Sequence, residues 1–241
     1  MSQSLLSLQG VHTHIAQYHI LHGVDLNVAA GQVTVLLGRN GAGKTTCLRT
    51  IMGLWRASAG SIRLREQEIT QWETPAIARE GIAYVPENMG IFAELTVQQN
   101  ILLAASRKGI DQQRLDWVFG FFPALKKFWH YPAGNLSGGQ KQMLAIARAM
   151  IEPRQLILVD EPSKGLAPAI IDNMLQAFRE LKASQTTILI VEQNFNFVRD
   201  LGDQVAVMDD GKIVHQGKMA ALAADDDLQQ RLLGLSLASH Q

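Results

Sequence analysis

The stretch Gln32–Leu54 reads QVTVLLGRNGAGKTTCLRTIMGL and joins a short apolar run, a glycine-rich turn and a helix-compatible segment. Within it, Gly38–Thr45 has the spacing G-x-x-x-x-G-K-T. A loop of small residues can turn several backbone N–H groups toward phosphate oxygens, and the helix that follows adds the positive end of its dipole. Because a strand pattern precedes the loop and a helix pattern follows it, the stretch predicts a phosphate-binding P-loop rather than an ordinary turn.

The residues of this loop have separate predicted roles in holding a nucleotide. Lys44 supplies a mobile positive charge for the β- and γ-phosphates, and the Thr45 hydroxyl is a ligand for Mg²⁺. The rest of the loop is predicted to surround the phosphates, and this set comprises Gly38, Arg39, Asn40, Gly41, Ala42, Gly43 and Thr46.

A second apolar run, Leu156–Val159, ends in the acidic pair Asp160 and Glu161. In α/β folds ligands bind beyond the carboxyl ends of the strands. Asp160 is therefore predicted to hold Mg²⁺ through water, and Glu161 to polarise a water for attack on the γ-phosphate. By itself such a pair usually marks only a solvated strand end, but together with the P-loop it indicates nucleotide hydrolysis.

A second glycine-rich turn begins a helical run at Asn135–Gln142, which reads NLSGGQKQ. Ser137 and Gln140 have the spacing of a capping box, so one interpretation is simply a capped helix after a loop. A single nucleotide site needs only one phosphate-binding loop, so the pattern raises the question of what a second one binds.

Bulk composition limits the function classes. The chain has 241 residues, 47% of them hydrophobic, which is enough for a large core. The 22 basic and 22 acidic residues balance, which argues against a nucleic-acid binder. The one cysteine, Cys47, cannot form an internal disulfide, and we expect it to be a packed residue. The sequence shows neither a signal-peptide pattern nor a run long enough to span a bilayer, so we expect a cytoplasmic protein that reaches a membrane only through a protein partner.

The order of strand and helix patterns predicts the fold. Residues 1–88 and 152–241 have α/β patterns, with an N-terminal antiparallel β portion and nearly continuous apolar runs typical of parallel strands buried on both faces. Residues 89–151 have helical patterns, including a second capping box at Thr96 and Gln99. We therefore predict one α/β domain with a mostly parallel sheet and an inserted all-helical subdomain.

GRNGAGKTT, LSGGQ and LILVDEP occur in that order and resemble the nucleotide-binding subunit of an ATP-binding cassette (ABC) transporter, over essentially the whole chain. The resemblance implies a P-loop NTPase fold of the ABC type, with a RecA-like core and the LSGGQ signature in the helical subdomain. It implies ATP and Mg²⁺ as cofactors. It also answers the question of the second loop: Ser137, Gly138, Gly139 and Gln140 would act in trans, capping ATP held by the other member of a head-to-tail dimer.

Three further stretches, GIAYVPENMGIFAELTVQQNIL, SKGLAP and ILIVEQN, resemble ATPase subunits of importers for branched-chain amino acids and related polar solutes. This resemblance implies an ATPase that powers a membrane importer through ATP-driven dimer closure. The implied partners are a second ATPase subunit, integral membrane permease subunits and, indirectly, a solute-binding protein, with the chain on the cytoplasmic side of the inner membrane. The alternatives are a soluble ABC ATPase acting as a nucleotide-driven clamp and a weakly hydrolysing regulatory module.

The chain departs from the usual ABC pattern at four places. Glu87 replaces a glutamine that senses Mg²⁺ and the attacking water, although its carboxylate could itself ligate Mg²⁺. Gln193 replaces a histidine that contacts the γ-phosphate, and Ala167 replaces an acidic residue. The Glu87 and Gln193 changes favour a heterodimer with two unlike sites. The position of the usual adenine-stacking aromatic falls on Ile15, and His14 or Tyr18 could substitute for it.

Two side-chain groups have less specific interpretations. Six aromatic residues are predicted to form the core of the helical subdomain or, with Met89, Ile91 and Phe92, a groove for a helix of a membrane subunit. They are Trp117, Phe119, Phe121, Phe122, Phe128 and Trp129. His12 and His14 could share one strand face, but the pattern does not favour a metal site.

Overall fold

The structure of the protein is a computed structural model that describes residues 3–105 and 109–234. The described residues form one four-stranded and one six-stranded sheet with helices around them. The strands are β1 Ser4–Ile15, β2 Tyr18–Ala29, β3 Val33–Leu37, β4 Ala57–Leu64, β5 Gln67–Glu68, β6 Ile82–Val85, β7 Leu156–Asp160, β8 Thr187–Glu192, β9 Gln204–Asp209 and β10 Lys212–Lys218. The helices are α1 Lys44–Ile51, α2 Thr74–Arg79, α3 Val97–Ala104, α4 Gln112–Phe121, α5 Pro123–Lys127, α6 Gly138–Met150, α7 Pro168–Ala183, α8 Phe195–Val198, α9 Met219–Ala223 and α10 Asp226–Leu233.

The six-stranded sheet has the order β10-β9-β3-β8-β7-β6. Its strands pair in parallel from β9 to β6, and β10 pairs antiparallel with β9. β3, β7 and β8 are buried along their whole length, which explains why their sequences are nearly continuous apolar runs. The predicted mostly parallel α/β core is therefore confirmed.

Alternate side chains of the central strands enter two different cores. In β7, Ile157 and Val159 belong to a core that contains the buried faces of α6 and α7. Leu156 and Leu158 belong to a second core, which contains α1 and the inward side chains of the four-stranded sheet. The period-2 alternation of a strand thus fixes the central sheet between a helical layer and a β layer.

The four-stranded sheet is antiparallel, with the order β2-β1-β4-β5, as predicted for the N-terminal part. Its β1–β2 hairpin carries several histidines close together. Nδ1 of His12 lies 3.0 Å from Nε2 of His19, and the ring of His14 stacks on that of His19 at 4.1 Å between centroids. Within residues 3–105 and 109–234, no group of three or more His, Cys, Asp or Glu side chains is arranged to hold a metal ion.

The described part of residues 89–151 consists of helices and turns, with one isolated bridge between Thr96 and Pro132. Both predicted capping boxes are present, at the starts of α3 and α6. Phe122 is fully buried, whereas Phe92 is 49% exposed. Five aromatics pack half-buried against the helical core, which favours the core interpretation for them: Trp117, Phe119, Phe121, Phe128 and Trp129. The behaviour of this region as a separate subdomain stays a prediction.

The β9–β10 hairpin turns at Asp210 and Gly211, which both have positive φ, of 42° and 70°. A Cβ at Gly211 would lie 2.1 Å from the carbonyl oxygen of Ile20, so only glycine fits there. The N–H of Gly211 donates to the carbonyl of Ala42 at 2.9 Å. The hairpin therefore supports the glycine-rich loop directly.

None of the helices in the part of the chain that the structure describes is long and apolar enough to cross a membrane. Cys47 is buried in α1, and burial raises the pKa of its thiol to about 12. It is therefore a packed, protonated side chain at neutral pH.

Candidate active site

The glycine-rich loop connects the end of β3 to the start of α1 and presents its backbone to an open cleft of about 340 Å³. A Cβ at Gly38 would lie 2.3 Å from the carbonyl oxygen of Met208, so the loop could not pass β9 with a larger residue. Gly43 has a φ of 104° at the position before α1, a conformation that glycine adopts without strain. The N–H groups of the first turn of α1 lack helical partners and are free to bind an anion.

The side chain of Lys44 lies inside the loop and is only 4% exposed. Its Nζ donates to the carbonyls of Gly38 at 2.9 Å and Arg39 at 3.0 Å. It also lies 3.4 Å from Oε1 of Glu161. A cation is thus held at the base of the cleft, where the phosphates of a nucleotide would need it.

The two residues predicted to hold Mg²⁺ are brought together by the fold. Oγ1 of Thr45 donates to Oδ1 of Asp160 at 3.0 Å, across 115 residues of sequence. Burial raises the pKa of the Asp160 carboxyl above its usual range, although hydrogen bonds from Thr45 and Tyr84 act in the opposite direction. A hydroxyl and a carboxylate at the edge of the cleft fit Mg²⁺, which takes one or two protein oxygens and completes its shell with water and phosphate.

Tyr84 is a supporting residue that sequence reasoning missed. Its hydroxyl donates to Oδ2 of Asp160 at 3.2 Å, and burial together with the Asp160 charge raises the pKa of Tyr84 to about 12. The phenol therefore stays protonated and fixes one oxygen of the carboxylate, while Thr45 contacts the other. Its only signal in the sequence is its place on β6, the strand next to β7.

Glu161 follows the end of β7 with a φ of 45°, a left-handed conformation that is uncommon for residues other than glycine. Its Oε1 accepts a hydrogen bond from Nε2 of Gln193 at 3.1 Å. Burial acts to raise the pKa of Glu161, but the Gln193 hydrogen bond and the charges of Lys44 and Lys164 outweigh it and lower the pKa. The carboxylate is thus ionised at neutral pH and able to accept a proton.

The two substituted positions also lie at the cleft. Gln193 bridges the loop and the acidic strand end, because its Nε2 donates to Oδ1 of Asn40 as well as to Glu161. Glu87 lines the cleft and pairs with Lys164, whose Nζ lies 2.6 Å from Oε1 of Glu87. Lys164 was not identified from the sequence, where it appears only as a lysine three residues after Glu161.

Glu192 is a third residue that the sequence did not reveal. This carboxylate is 2% exposed at the end of β8. Its Oε1 accepts from the N–H of Ser163 at 2.9 Å, and its Oε2 from the N–H groups of Gln193 at 3.0 Å and Asn194 at 3.2 Å. One buried side chain therefore joins the segment that carries Lys164 to the segment that carries Gln193. In the sequence it reads as the last residue of an apolar strand, with no sign of these partners.

The LSGGQ residues are not among those that line the cleft. Oγ of Ser137 accepts from the N–H of Gln140 at 3.3 Å, and Oε1 of Gln140 accepts from the N–H of Ser137 at 2.9 Å. Ser137 and Gly138 are exposed, so the start of α6 presents backbone N–H groups outward. Within a single copy of the chain, this helix start and the glycine-rich loop are two separate surfaces.

The apolar side chain that lines the cleft is Ile20 of β2. Ile15, His14 and Tyr18, the residues considered for the adenine contact, are not among the lining residues, and Tyr18 is 63% exposed. The structure thus adds Ile20 as a candidate for the base-contacting side chain, which the aromatic pattern could not reveal.

Comparisons with known proteins agree with this geometry. Residues 21–164 match the family model described as ABC transporter. The high-affinity branched-chain amino acid transport ATP-binding protein BraG of Pseudomonas aeruginosa is 38% identical, with 95% of this chain and 100% of that protein covered. The probable branched-chain amino acid transport ATP-binding protein LivF of Archaeoglobus fulgidus is 33% identical, with 91% and 94% covered.

Solved structures are similar over nearly the whole chain. A nucleotide-free ATP-binding cassette from an ABC transporter is 25% identical with a TM-score of 0.80, and the alignment covers 97% of this chain and 100% of that one. The ATP binding subunit of an ABC transporter is 28% identical with a TM-score of 0.82, covering 97% and 96%.

Proposed function

Because this chain belongs to the ABC transporter family, we propose that it binds and hydrolyses ATP to power a membrane importer for branched-chain or other amino acids. The amino-acid solute is supported by two relatives described as branched-chain amino acid transport ATP-binding proteins. Both align with this chain over almost their full length. Relatives described as cystine and arginine transport ATP-binding proteins broaden the solute class.

The observation that carries the proposal is the convergence of three groups on one cleft: Lys44, the Thr45–Asp160 pair and the ionised Glu161. The glycine-rich loop and Lys44 would bind the phosphates of ATP. Thr45 and Asp160, with Glu87 at the mouth, would hold Mg²⁺, which when bound neutralises phosphate charge.

Glu161 would orient a water molecule and accept its proton as the water oxygen attacks the γ-phosphorus and the bond to the β-phosphate oxygen breaks, giving ADP and phosphate. Gln193 holds one oxygen of Glu161 through its 3.1 Å hydrogen bond, so it would fix the direction of that carboxylate. A positioned base of this kind contributes typically about 10²–10⁴-fold to the rate.

The cleft is open to solvent, and the start of α6 points outward from a different part of the surface. We propose that two ATPase subunits, identical or related, join head to tail so that the α6 start of each caps the ATP held by the other. Excluding water there would strengthen the electrostatic interactions with the γ-phosphate, and hydrolysis would release the dimer.

The groove beside Glu87 is a candidate permease contact. Ala83, Met89, Gly90 and Arg148 are among the residues that line it, and it lies between β6 and the α3–α6 pair. The exposed ring of Phe92 lies next to it, 5.2 Å from the Arg148 guanidinium. A helix of an integral membrane permease would fit there, which would place the chain at the cytoplasmic face of the inner membrane, with a solute-binding protein acting through the permease.

The test is ATP-dependent uptake of labelled branched-chain amino acids by the complex isolated through a tagged copy of this chain and rebuilt in vesicles. We expect membrane proteins to co-purify, and uptake to depend on ATP and on Glu161. Recovery of the chain without membrane proteins, or ATP hydrolysis that no amino acid and no binding protein stimulates, would contradict the importer function.

A further inference from the structure

Lys164 forms ion pairs with two carboxylates at the mouth of the cleft. Its Nζ lies 2.6 Å from Oε1 of Glu87 and 3.5 Å from Oε2 of Glu161. Its side chain is 60% exposed, that of Glu87 41% and that of Glu161 only 9%. Lys164 therefore connects the two carboxylates across the opening by which a nucleotide would enter.

The charges of the cleft show why such a cation matters. Three carboxylates, those of Glu87, Asp160 and Glu161, lie where the terminal phosphates of ATP would bind. Lys44 is already committed to two loop carbonyls and to Glu161. Without Lys164, the negative charge of Glu87 would lie close to the triphosphate of ATP. The repulsion between them would weaken the binding of ATP.

The position of Lys164 is held by the fold. The preceding residue, Ser163, donates its backbone N–H to the buried carboxylate of Glu192 at 2.9 Å. The same carboxylate accepts from the N–H of Gln193, which contacts Glu161. Lys164 and Gln193 are thus anchored to one point and approach the Glu161 carboxylate through different oxygens.

We infer that Lys164 is a charge-compensating and positioning residue of the ATPase site. It neutralises Glu87 and so allows the γ-phosphate to bind beside a carboxylate. It also holds the second oxygen of Glu161. This inference rests on the proposed ATP hydrolysis and adds a residue that acts through Glu87 and Glu161.

An alternative is that Lys164 only forms an ordinary surface ion pair. Such pairs typically contribute about 0–1 kcal/mol to stability and have no reason to affect nucleotide affinity. The two interpretations therefore predict different measurements: compensation changes the binding of a nucleotide that carries a γ-phosphate, whereas a surface pair changes at most the melting temperature.

The experiment is a double-mutant cycle on the full chain with Lys164→Gln, Glu87→Gln and the double variant. The probes are a non-hydrolysable ATP analogue and ADP, each with Mg²⁺, measured by calorimetry. We expect Lys164→Gln to weaken binding of the ATP analogue about tenfold, equivalent to about 1.4 kcal/mol. Adding Glu87→Gln should restore the affinity to within about twofold of that of Glu87→Gln alone. ADP, which lacks the γ-phosphate, should be affected less.

The controls separate charge from folding. Lys164→Arg keeps the charge and should retain the affinity. Lys182→Gln removes a comparable lysine–carboxylate pair, with Asp203 at 2.7 Å, that lies away from the cleft, and should bind like the unaltered chain. In steady-state hydrolysis, Lys164→Gln should mainly raise KM. It should lower kcat by a smaller factor, because Glu161 loses the ion pair that holds its second oxygen.

Unchanged affinity in Lys164→Gln would overturn this inference and leave the proposed ATPase intact. So would a loss of affinity from Lys164→Gln that is as large in the Glu87→Gln background as in the unaltered chain. Failure of the unaltered chain to bind the ATP analogue would instead overturn the proposed function, and the inference with it.

Discussion

Removing the Glu192 carboxylate should destabilise the protein and impair its site together. Glu192→Ala leaves three backbone N–H groups, those of Ser163, Gln193 and Asn194, without their acceptor. The Ser163 hydrogen bond is fully buried, so we assign about 2 kcal/mol to it. The other two are partly buried and water can replace the carboxylate, so we assign about 0.5–1 kcal/mol to each.

The expected loss is thus about 3–4 kcal/mol of the free energy of unfolding, or a fall of about 10 °C in melting temperature for a chain of this size. Glu192→Gln keeps the shape of the side chain and one acceptor oxygen. Its NH₂ group, however, would face at least one of the backbone N–H donors, so we expect about half that loss. Urea unfolding followed by circular dichroism measures both values.

The same variants should lower kcat, since the segments that carry Lys164 and Gln193 lose their common anchor. The exposed Glu180 on α7 offers a matched control, because Glu180→Ala removes a carboxylate from the surface and should change stability by less than about 0.5 kcal/mol. A Glu192→Ala protein within about 1 kcal/mol of the unaltered chain, with unchanged kcat, would refute the view that this carboxylate holds the two segments.

Three other changes test the site and its supports. Glu161→Gln should lower kcat at least about 100-fold and accumulate an ATP-bound dimer in size-exclusion chromatography, whereas turnover at the unaltered rate would refute its role as the base. Tyr84→Phe should cost about 1 kcal/mol of stability and raise the Mg²⁺ concentration needed for half-maximal hydrolysis several-fold, because Asp160 loses a fixed hydrogen bond; an unchanged Mg²⁺ titration would count against it. Burial raises the pKa of the Cys47 thiol from its ordinary value of 9.0 to about 12. Between these two pH values the thiol keeps its proton in the native state and loses it in the unfolded state. Stability should therefore fall as pH rises above about 9, and Cys47→Ala should lessen that fall in urea unfolding; an equal slope in both proteins would contradict this.

Much of the fold could be predicted from local sequence. The nearly continuous apolar runs of β3, β7 and β8 predicted parallel strands with both faces covered, and all three strands are buried along their whole length. The capping boxes at the starts of α3 and α6 were readable because they span only four residues each. The Asp210–Gly211 turn is equally local, because its conformation depends on the residue types at the turn itself.

The candidate site was predictable only in part. The glycine-rich loop with Lys44 and Thr45 is contiguous in sequence, so its spacing alone predicts phosphate binding. Asp160 and Glu161 could be named as candidates because a strand end is a recognisable place for an acidic pair. The adenine contact stays a prediction: the sequence pattern pointed to Ile15, His14 or Tyr18, and the structure adds Ile20, which lines the cleft.

The sequence by itself thus determined the class of fold and the phosphate-binding loop, because helix caps, strand periodicity and glycine spacing act over a few residues. Only the tertiary structure decided that Tyr84 contacts Asp160, that Glu87 is paired with Lys164 and that Glu192 holds two segments of the site together. The Tyr84–Asp160 and Glu87–Lys164 contacts join residues 76 and 77 positions apart. They arise from the order of strands in the sheet, which brings distant strand ends to one edge, and no local pattern of residue types encodes that meeting.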